Sequence, residues 1–241
     1  MNKIKKANEL LWLFGIIFVA LGVAVCSKAD LGVSMIAAPA FVLSEALVQL
    51  WSVLNVGVTE YIIQGVMLVI LCVIVKGFNW RYLLAFAVAV VYGYTLNMFL
   101  WILKDVQFET VAVRWVMLIV GDLITAFGVA CFFRTYMPLQ VYELFVAEIA
   151  EHFHFSISKT KLTFDMVLLG ISLVLAFTLF GDVRSFDWST IGYTSFHSIG
   201  LGTLVTTAIN SPLISLMGKL VDRFFEPTAR FAKMEKVLKR S

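Results

Sequence analysis

Long apolar stretches alternate with short polar segments along most of this chain. Six of the stretches are near twenty residues long, which is enough for an α-helix to cross a bilayer core of ~30 Å. A membrane β-barrel would instead show shorter segments in which apolar and polar residues alternate. The sequence therefore predicts six clear spans, at residues 10–27, 58–76, 81–103, 112–133, 162–181 and 193–217.

Two weaker apolar segments, 33–51 and 139–153, follow directly after Gly32 and Pro138. Both carry polar side chains, namely Ser34, Ser44 and Glu45 in the first and Gln140, Glu143 and Glu148 in the second. One interpretation is a short, buried or tilted helix. The other is a discontinuous or re-entrant element that lines a cavity, where irregular backbone at membrane depth is tolerated.

Composition agrees with a membrane protein. Hydrophobic residues make up 61% of the 241 residues and charged residues only 15%, and the mean hydropathy is +0.92. A soluble domain of this length needs a more charged exterior. We expect an all-α polytopic bundle of about eight membrane segments. Its first span is not expected to be a cleaved signal peptide, because the chain never turns soluble afterwards.

The chain also repeats itself. Residues 21–24, with a basic residue at Lys28, match residues 127–130, with a basic residue at Arg134, at an offset of 106 positions. Residues 78–80 match residues 186–188 at an offset of 108 positions. The sequence thus predicts a duplicated unit. With both weak segments counted as spans, each copy has four helices, and an even number leaves the two copies parallel.

The predicted organisation has five parts. They are a cytoplasmic basic N-terminus (1–9), a first repeat (10–103), a cytoplasmic linker (104–111), a second repeat (112–218) and a basic cytoplasmic tail (219–241). With the N-terminus inside, most of the 19 Lys and Arg residues lie on the inner side, as the positive-inside rule requires. In the tail, Phe231, Met234 and Leu238 recur at helical spacing among basic residues. This pattern favours an amphipathic helix on anionic lipid, or else a solvated tail that fixes topology.

Charged residues at membrane depth are the candidates for function. Lys28 and Arg134 could reach the headgroups with their long side chains. Alternatively, their repeat-related positions could bring both cations to one anionic substrate, with helix N-termini near Val33 and Leu139 adding their dipoles. Asp122 either pairs with a polar or basic residue across the bundle, or carries a coupling proton.

Other classes of function lack their motifs. The chain has no phosphate-binding Gly-x-x-x-x-Gly-Lys, no dinucleotide fingerprint and no Gly-x-Ser-x-Gly elbow. His152 and His154 stand together without a further Cys or His nearby, and the three cysteines have no metal-ligand spacing. We expect no enzymatic activity, no cofactor, no bound metal and no nucleic-acid partner.

Two short motifs resemble a known family. Residues 31–34 read Leu-Gly-Val-Ser and residues 200–204 read Gly-Leu-Gly-Thr-Leu. With Pro138 and the acidic short segment that follows it, these resemble the bacterial YczE/YitT-type integral membrane proteins over most of residues 15–218. The chain departs from that pattern at residues 35–37 and at Gln140 and Tyr142. The resemblance implies duplicated helices and a transport role in the bacterial inner membrane, without indicating a substrate.

The leading hypothesis is a small secondary transporter with a substrate site between two repeats, for an anionic or carboxylate-bearing solute. The predicted site-lining residues are Lys28, Gly32, Ser34, Arg134, Pro138, Gln140 and Glu143, with Asp122 as coupling group. The expected partners are the bilayer, a small-molecule substrate and anionic lipid at the tail, and the chain could act alone or as a homodimer. The alternative is a non-transporting subunit, assembly factor or sensor that acts through a protein partner.

Overall fold

The computed structural model describes residues 8–180 and 197–225 of the chain. These residues form eight α-helices. The helices are α1 (Asn8–Lys28), α2 (Ala38–Leu47), α3 (Val56–Val75), α4 (Arg81–Ile102), α5 (Val111–Phe132), α6 (Val141–His152), α7 (Ile157–Phe180) and α8 (Leu201–Phe224). Each half of the chain therefore has the same order of long, short, long and long helices.

The last predicted span has the wrong bounds. Predicted at residues 193–217, it is a helix over Leu201–Phe224. The residues from Lys219 were assigned to the tail because they are charged, yet the final turns of a helix can carry charges beyond the apolar core. The predicted surface helix of the tail lies outside the described residues, as does the repeat motif at residues 186–188.

The polarity of the bundle is that of a membrane protein. On α3, Val69 and Val73 are 64% and 71% exposed, whereas Thr59, Glu60 and Gln64 on the same helix are buried. An exterior of exposed valine and leucine around polar groups is stable in lipid, because lipid tails solvate the apolar side chains. The predicted all-α membrane bundle is confirmed, and six of the described helices are long and apolar enough to span a membrane.

The first helices of the two halves, α1 and α5, pack directly against each other. A Cβ atom added at Gly22 would lie 2.5 Å from the carbonyl oxygen of Gly121 and 2.6 Å from the amide nitrogen of Thr125. A Cβ atom added at Gly128 would lie 2.7 Å from the amide nitrogen of Val19. Only glycine permits backbones to approach so closely, as at many helix contacts in membranes.

The two helices run antiparallel, because positions late in α1 meet positions early in α5. Gly15 lies against Phe132, and Cys26 lies against Gly121. The prediction of parallel repeats is therefore wrong: the matching segments 21–24 and 127–130 run in opposite directions. The direction of α5 relative to α1 depends on how many helices of the first half cross the membrane. That number depends on whether the short helix α2 crosses, as the corresponding number in the second half depends on α6.

The ends of α1 and α5 define two ends of the bundle, which we call the Lys28 end and the Arg134 end. At the Lys28 end, the Lys28 ammonium donates to the carbonyl of Lys104, which follows α4. At the Arg134 end, Arg134 pairs with Asp222 in the last turn of α8. Helices α1 and α4 therefore end on one side of the bundle, and α5 and α8 end on the other.

Helix α2 starts inside the bundle and returns to the Lys28 end. Its first residue, Ala38, belongs to the same core cluster as Val88 and Tyr92 from the middle of α4. Asn55, which caps α3, contacts Asn97 near the end of α4. Since the chain leaves α1 and enters α3 at the same end, α2 does not cross.

Helix α6 is arranged in the same way from the Arg134 end. The hydroxyl of Tyr142 in its first turn reaches Glu60 on α3, while Glu148 accepts from Tyr82 at the start of α4. With 10 and 12 residues, α2 and α6 measure about 15 and 18 Å at ~1.5 Å per residue, against a core of ~30 Å. Both are too short to cross the core, so six of the described helices are candidate spans and not eight, and the re-entrant interpretation fits α2 and α6.

This arrangement predicts which loops share a side of the membrane. In a variant without the three native cysteines, single cysteines at Trp51 and Gln107 should react with an impermeant thiol reagent from one side, and cysteines at Phe78 and Phe155 from the other. The measurement is labelling of sealed right-side-out and inverted vesicles. Labelling of positions 51 and 155 from the same side would contradict re-entrant α2 and α6.

The α1–α5 contact predicts a specific sensitivity to added volume. Gly22→Ala should lower the free energy of unfolding by about 1–3 kcal/mol, because the new methyl group meets backbone atoms that cannot move aside. Gly170 on α7 has no atom within 4 Å of its added Cβ. Gly170→Ala is therefore the matched control, and its helix propensity should leave stability unchanged or slightly raised. Thermal unfolding in detergent measures both, and equal midpoints would contradict the close contact.

Candidate functional site

A set of buried polar side chains from three helices forms what we call the central polar cluster. Its members are Glu60 and Gln64 on α3, Tyr142 and Glu143 on α6, and Lys161 and Asp165 on α7. All six are buried, and Glu60 and Gln64 are 0% exposed. Helix α3 belongs to the first half of the chain, whereas α6 and α7 belong to the second. The cluster therefore lies where the halves meet.

Glu60 joins α3 to α6. Its Oε2 atom accepts a hydrogen bond from the Tyr142 hydroxyl at 2.9 Å and another from the Gln64 side-chain amide at 3.4 Å. Gln64 is four residues after Glu60, so both side chains lie on one face of α3. That face meets α6 because α3 packs against α6. A polar contact thus holds the inward tip of the re-entrant helix.

The basic group of the cluster is Lys161. Its ammonium lies 3.5 Å from Asp165 Oδ2, one turn further along α7. The same ammonium acts electrostatically on Glu143 of α6 and on Asp122 of α5. A single buried cation therefore has three carboxyl groups around it.

The charges in this region do not balance. Glu60, Asp122, Glu143 and Asp165 are four buried carboxyl groups, and Lys161 is the buried amine among them. Buried ions cost several kcal/mol each unless they are paired. Within the described residues, each of these carboxyl groups also has one buried oxygen without a hydrogen-bond partner. The cluster therefore requires protons, or an occupant that donates hydrogen bonds or carries positive charge.

Two predicted site residues stand at the start of α6, namely Glu143 within the cluster and Gln140 just before it in the chain. Gln140 is the N-cap residue and Glu143 is in the first turn. Both are buried, and the described residues provide no partner for Gln140 Oε1 or Glu143 Oε2. The N-terminus of a helix attracts negative charge and leaves backbone N–H groups free. The tip of α6 thus offers both donors and acceptors at depth.

The predicted convergence of Lys28 and Arg134 is wrong. Because α1 and α5 are antiparallel, the two cations lie at opposite ends of the bundle. Arg134 forms a two-pronged contact with Asp222, with 2.8 Å between Nη2 and Oδ2. Lys28 donates to the Lys104 carbonyl at 3.1 Å. Both lie near the ends of their helices, and contact with headgroups stays a prediction.

The remaining predicted residues support backbone turns. Gly32 has φ of 108°, a conformation that favours glycine, and it packs against Gly200 and Thr203. The two short motifs at residues 31–34 and 200–204 thus lie together at the Lys28 end. The carbonyl of Ser34 accepts from Ala38 at the start of α2, and the carbonyl of Pro138 accepts from the indole of Trp12.

Asp122 occupies the middle of α5 and is 1% exposed. The described part of the chain supplies no hydrogen-bond donor to its Oδ2 atom. Its nearest cation in electrostatic terms is Lys161. Of the partners expected for Asp122, a polar or a basic residue, the described residues give no serine or threonine hydrogen bond to Oδ2 but do give the electrostatic interaction with the basic Lys161. The coupling role stays a prediction.

Sequence reasoning missed Glu60, Gln64 and Lys161. Glu60 lies within the predicted span 58–76, and an ionisable residue inside a span is itself a signal of function. The Gln64 side chain four residues later strengthens that signal. Lys161 precedes the predicted span 162–181, so the sequence pattern places it in the loop before that span. Its burial follows from the start of α7 at Ile157, which no hydropathy pattern marks.

The comparisons with known proteins identify the family. The model described as Family of unknown function (DUF6198) matches residues 6–219, so the chain belongs to this family. No curated protein and no solved structure matches the chain. The family description names no activity, and the resemblance to YczE/YitT-type proteins stays a prediction.

The ion pair on α7 can be tested by a double-mutant cycle. Lys161→Met should lower the free energy of unfolding by about 3–5 kcal/mol, because it leaves buried carboxylates without their cation. Adding Asp165→Asn should recover part of that loss. Lys159→Met, at an exposed position of the same helix, is the control and should change little. Additive effects in thermal unfolding would show that the two side chains do not interact.

Proposed function

We propose that this member of the DUF6198 family is a small secondary transporter whose substrate site is the central polar cluster. The observation that carries the proposal is this cluster of three buried carboxyls and one buried amine between the two halves of a membrane bundle, with a fourth buried carboxyl, Asp122, in the electrostatic range of the same amine. A protein that served only as a membrane scaffold could pack this region with apolar side chains at lower cost. Retained polarity at depth favours a pathway for a polar solute.

We also infer that the halves are an inverted repeat. Glu60 and Gln64 on α3 match Lys161 and Asp165 on α7 at an offset of 101 positions, and each is a buried pair spaced by four residues. Helix α2 packs against α7 as α6 packs against α3. Three crossing helices per half reverse the orientation of the second half. Inverted repeats with half-helices that end near the midplane are a common transporter design, in which one half rocks against the other.

Charge supports an orientation with both termini in the cytoplasm. With six crossing helices, Lys76, Arg81 and Arg134 move to the side of the N-terminus, while Lys104 and Arg114 move to the other side. The basic bias towards the inner side thus becomes stronger than with eight crossings. By the family resemblance, the membrane would be the bacterial inner membrane.

The charge of the cluster points to a substrate with a protonated amine. The earlier expectation of an anion rested on convergence of two cations, which lie at opposite ends of the bundle. The unpartnered atoms include Gln140 Oε1 and Glu143 Oε2. These are acceptors, and an ammonium group is a donor with positive charge.

A ligand screen tests the proposal. Purified protein is heated with a panel of solutes in four classes, namely amines, zwitterionic amino acids, carboxylates and neutral polyols. A ligand at about 100 times its Kd raises the free energy of unfolding by about 2.7 kcal/mol. We expect stabilisation by an amine or a zwitterion, followed by counterflow of the same labelled solute in proteoliposomes.

The controls come from one helix. Glu143→Gln should abolish the shift, because it removes a charge from the cluster. Glu148→Gln changes a half-buried residue of α6 that accepts from Tyr82 away from the cluster, and it should keep the shift. Binding without counterflow, or no binding in any class, would contradict transport and favour a membrane subunit that acts through a protein partner.

A further inference from the structure

Glu60 is a fully buried carboxyl, and its interactions with the described residues include no cation. The groups that face it are Gln64 on its own helix, Tyr92 on α4, and Tyr142 and Glu143 on α6. Helix α2 also packs on α3, but its one titratable side chain, Glu45, is exposed near the opposite end of α2, beside His197. The buried amine, Lys161, pairs with Asp165 instead.

The two oxygen atoms of Glu60 have different surroundings. Oε2 accepts two hydrogen bonds, from Tyr142 and from Gln64. Oε1 is buried, and the described residues give it no partner. A carboxylic acid has this asymmetry: the carbonyl oxygen accepts, and the other oxygen carries the hydrogen. Because Oε2 already accepts two hydrogen bonds, Oε1 is the oxygen on which a proton would lie.

A metal cation suits this position less well. A hard cation needs about six oxygen ligands at 2–2.6 Å. Among the described groups that face Glu60, the unpartnered oxygens are its own Oε1, the side-chain oxygen of Gln64 and Glu143 Oε2, which is half the number that such a cation needs. Among the described residues, no group of three or more His, Cys, Asp or Glu is arranged to hold a metal.

We propose that Glu60 binds a proton in this conformation and is the coupling group of the transport cycle. This assignment rests on the proposed function, and it places the coupling proton on Glu60 instead of Asp122. Lys161 interacts electrostatically with Asp122 and with two other carboxyls, so Asp122 already has a counter-charge nearby. Glu60 has no counter-charge among its contacts with the described residues.

The position of Glu60 explains how coupling would work. It bonds across the boundary between halves, from α3 to the tip of α6. Rocking of one half against the other separates Tyr142 from Glu60 and opens the carboxyl to water. The proton on Oε1 then leaves to water, and the resulting carboxylate accepts a protonated amine. One positive charge replaces another, so the cycle exchanges a proton for substrate.

Infrared spectroscopy of the purified full-length protein tests the assignment. The carbonyl stretch of a protonated carboxyl is separate from the bands of ionised carboxylates. Near neutral pH, we expect a protonated-carboxyl band in the parent and in Glu148→Gln, and its loss by one carboxyl equivalent in Glu60→Gln. In Tyr142→Phe, the band should stay and move to higher wavenumber, because its carbonyl oxygen loses a hydrogen bond.

Several outcomes would overturn the assignment. One is a Glu60→Gln spectrum identical to that of the parent. Another is a band that disappears when Na⁺ replaces choline in the buffer, which would make Na⁺ the occupant. If Glu60→Gln does not fold, a Tyr142→Phe band at the parental position overturns the assignment by itself. If no ligand binds in the screen but the protonated-carboxyl band is present, the transport proposal fails while the protonation of Glu60 stands. The two proposals therefore fail separately.

Discussion

The close antiparallel contact of α1 and α5 is the constraint on which the other helices depend. Backbone atoms around Gly22 and Gly128 approach so closely that added Cβ atoms would collide with the facing helix. Because the two positions match in the predicted repeat, the contact also joins corresponding places of the two halves. Helices α4 and α8 then pack on α1 and α5 respectively. The α1–α5 contact thus forms the core of the bundle, and each of its two helices carries one further helix of its own half.

Re-entrant helices follow from that orientation. Each half starts on one side of the bundle and ends on the other, so an odd number of its four helices cross. The three long helices cross, and the short helix returns to the side from which it came. Irregular backbone before α2 and α6 then lies within protein, where its polar groups can be satisfied. Val33 pairs with Ser198 in this way. The tips of both short helices consequently point into the bundle, where each contacts the third helix of the other half.

The central polar cluster imposes a cost that apolar packing would avoid. Several ionisable groups share one amine, and buried oxygen atoms are left without partners among the described residues. Energetically expensive sites persist where function uses them. The cluster also explains why sequence analysis found only part of the site. Glu143 and Gln140 stood out as polar residues in a weak segment, whereas Glu60 was hidden by the strong apolar span around it.

By itself, the sequence determined the fold class, the number of helices and most of their bounds, because hydrophobic length and helical breaks are local properties of a chain bound for lipid. It also marked both short segments through their polar residues. The tertiary structure decided in which direction each helix runs and which side chains lie close together. Whether a short helix crosses depends on where its ends pack, and this choice separates Lys28 from Arg134 and brings Glu60 to Tyr142. Such contacts join residues more than 80 positions apart, and no local pattern encodes them.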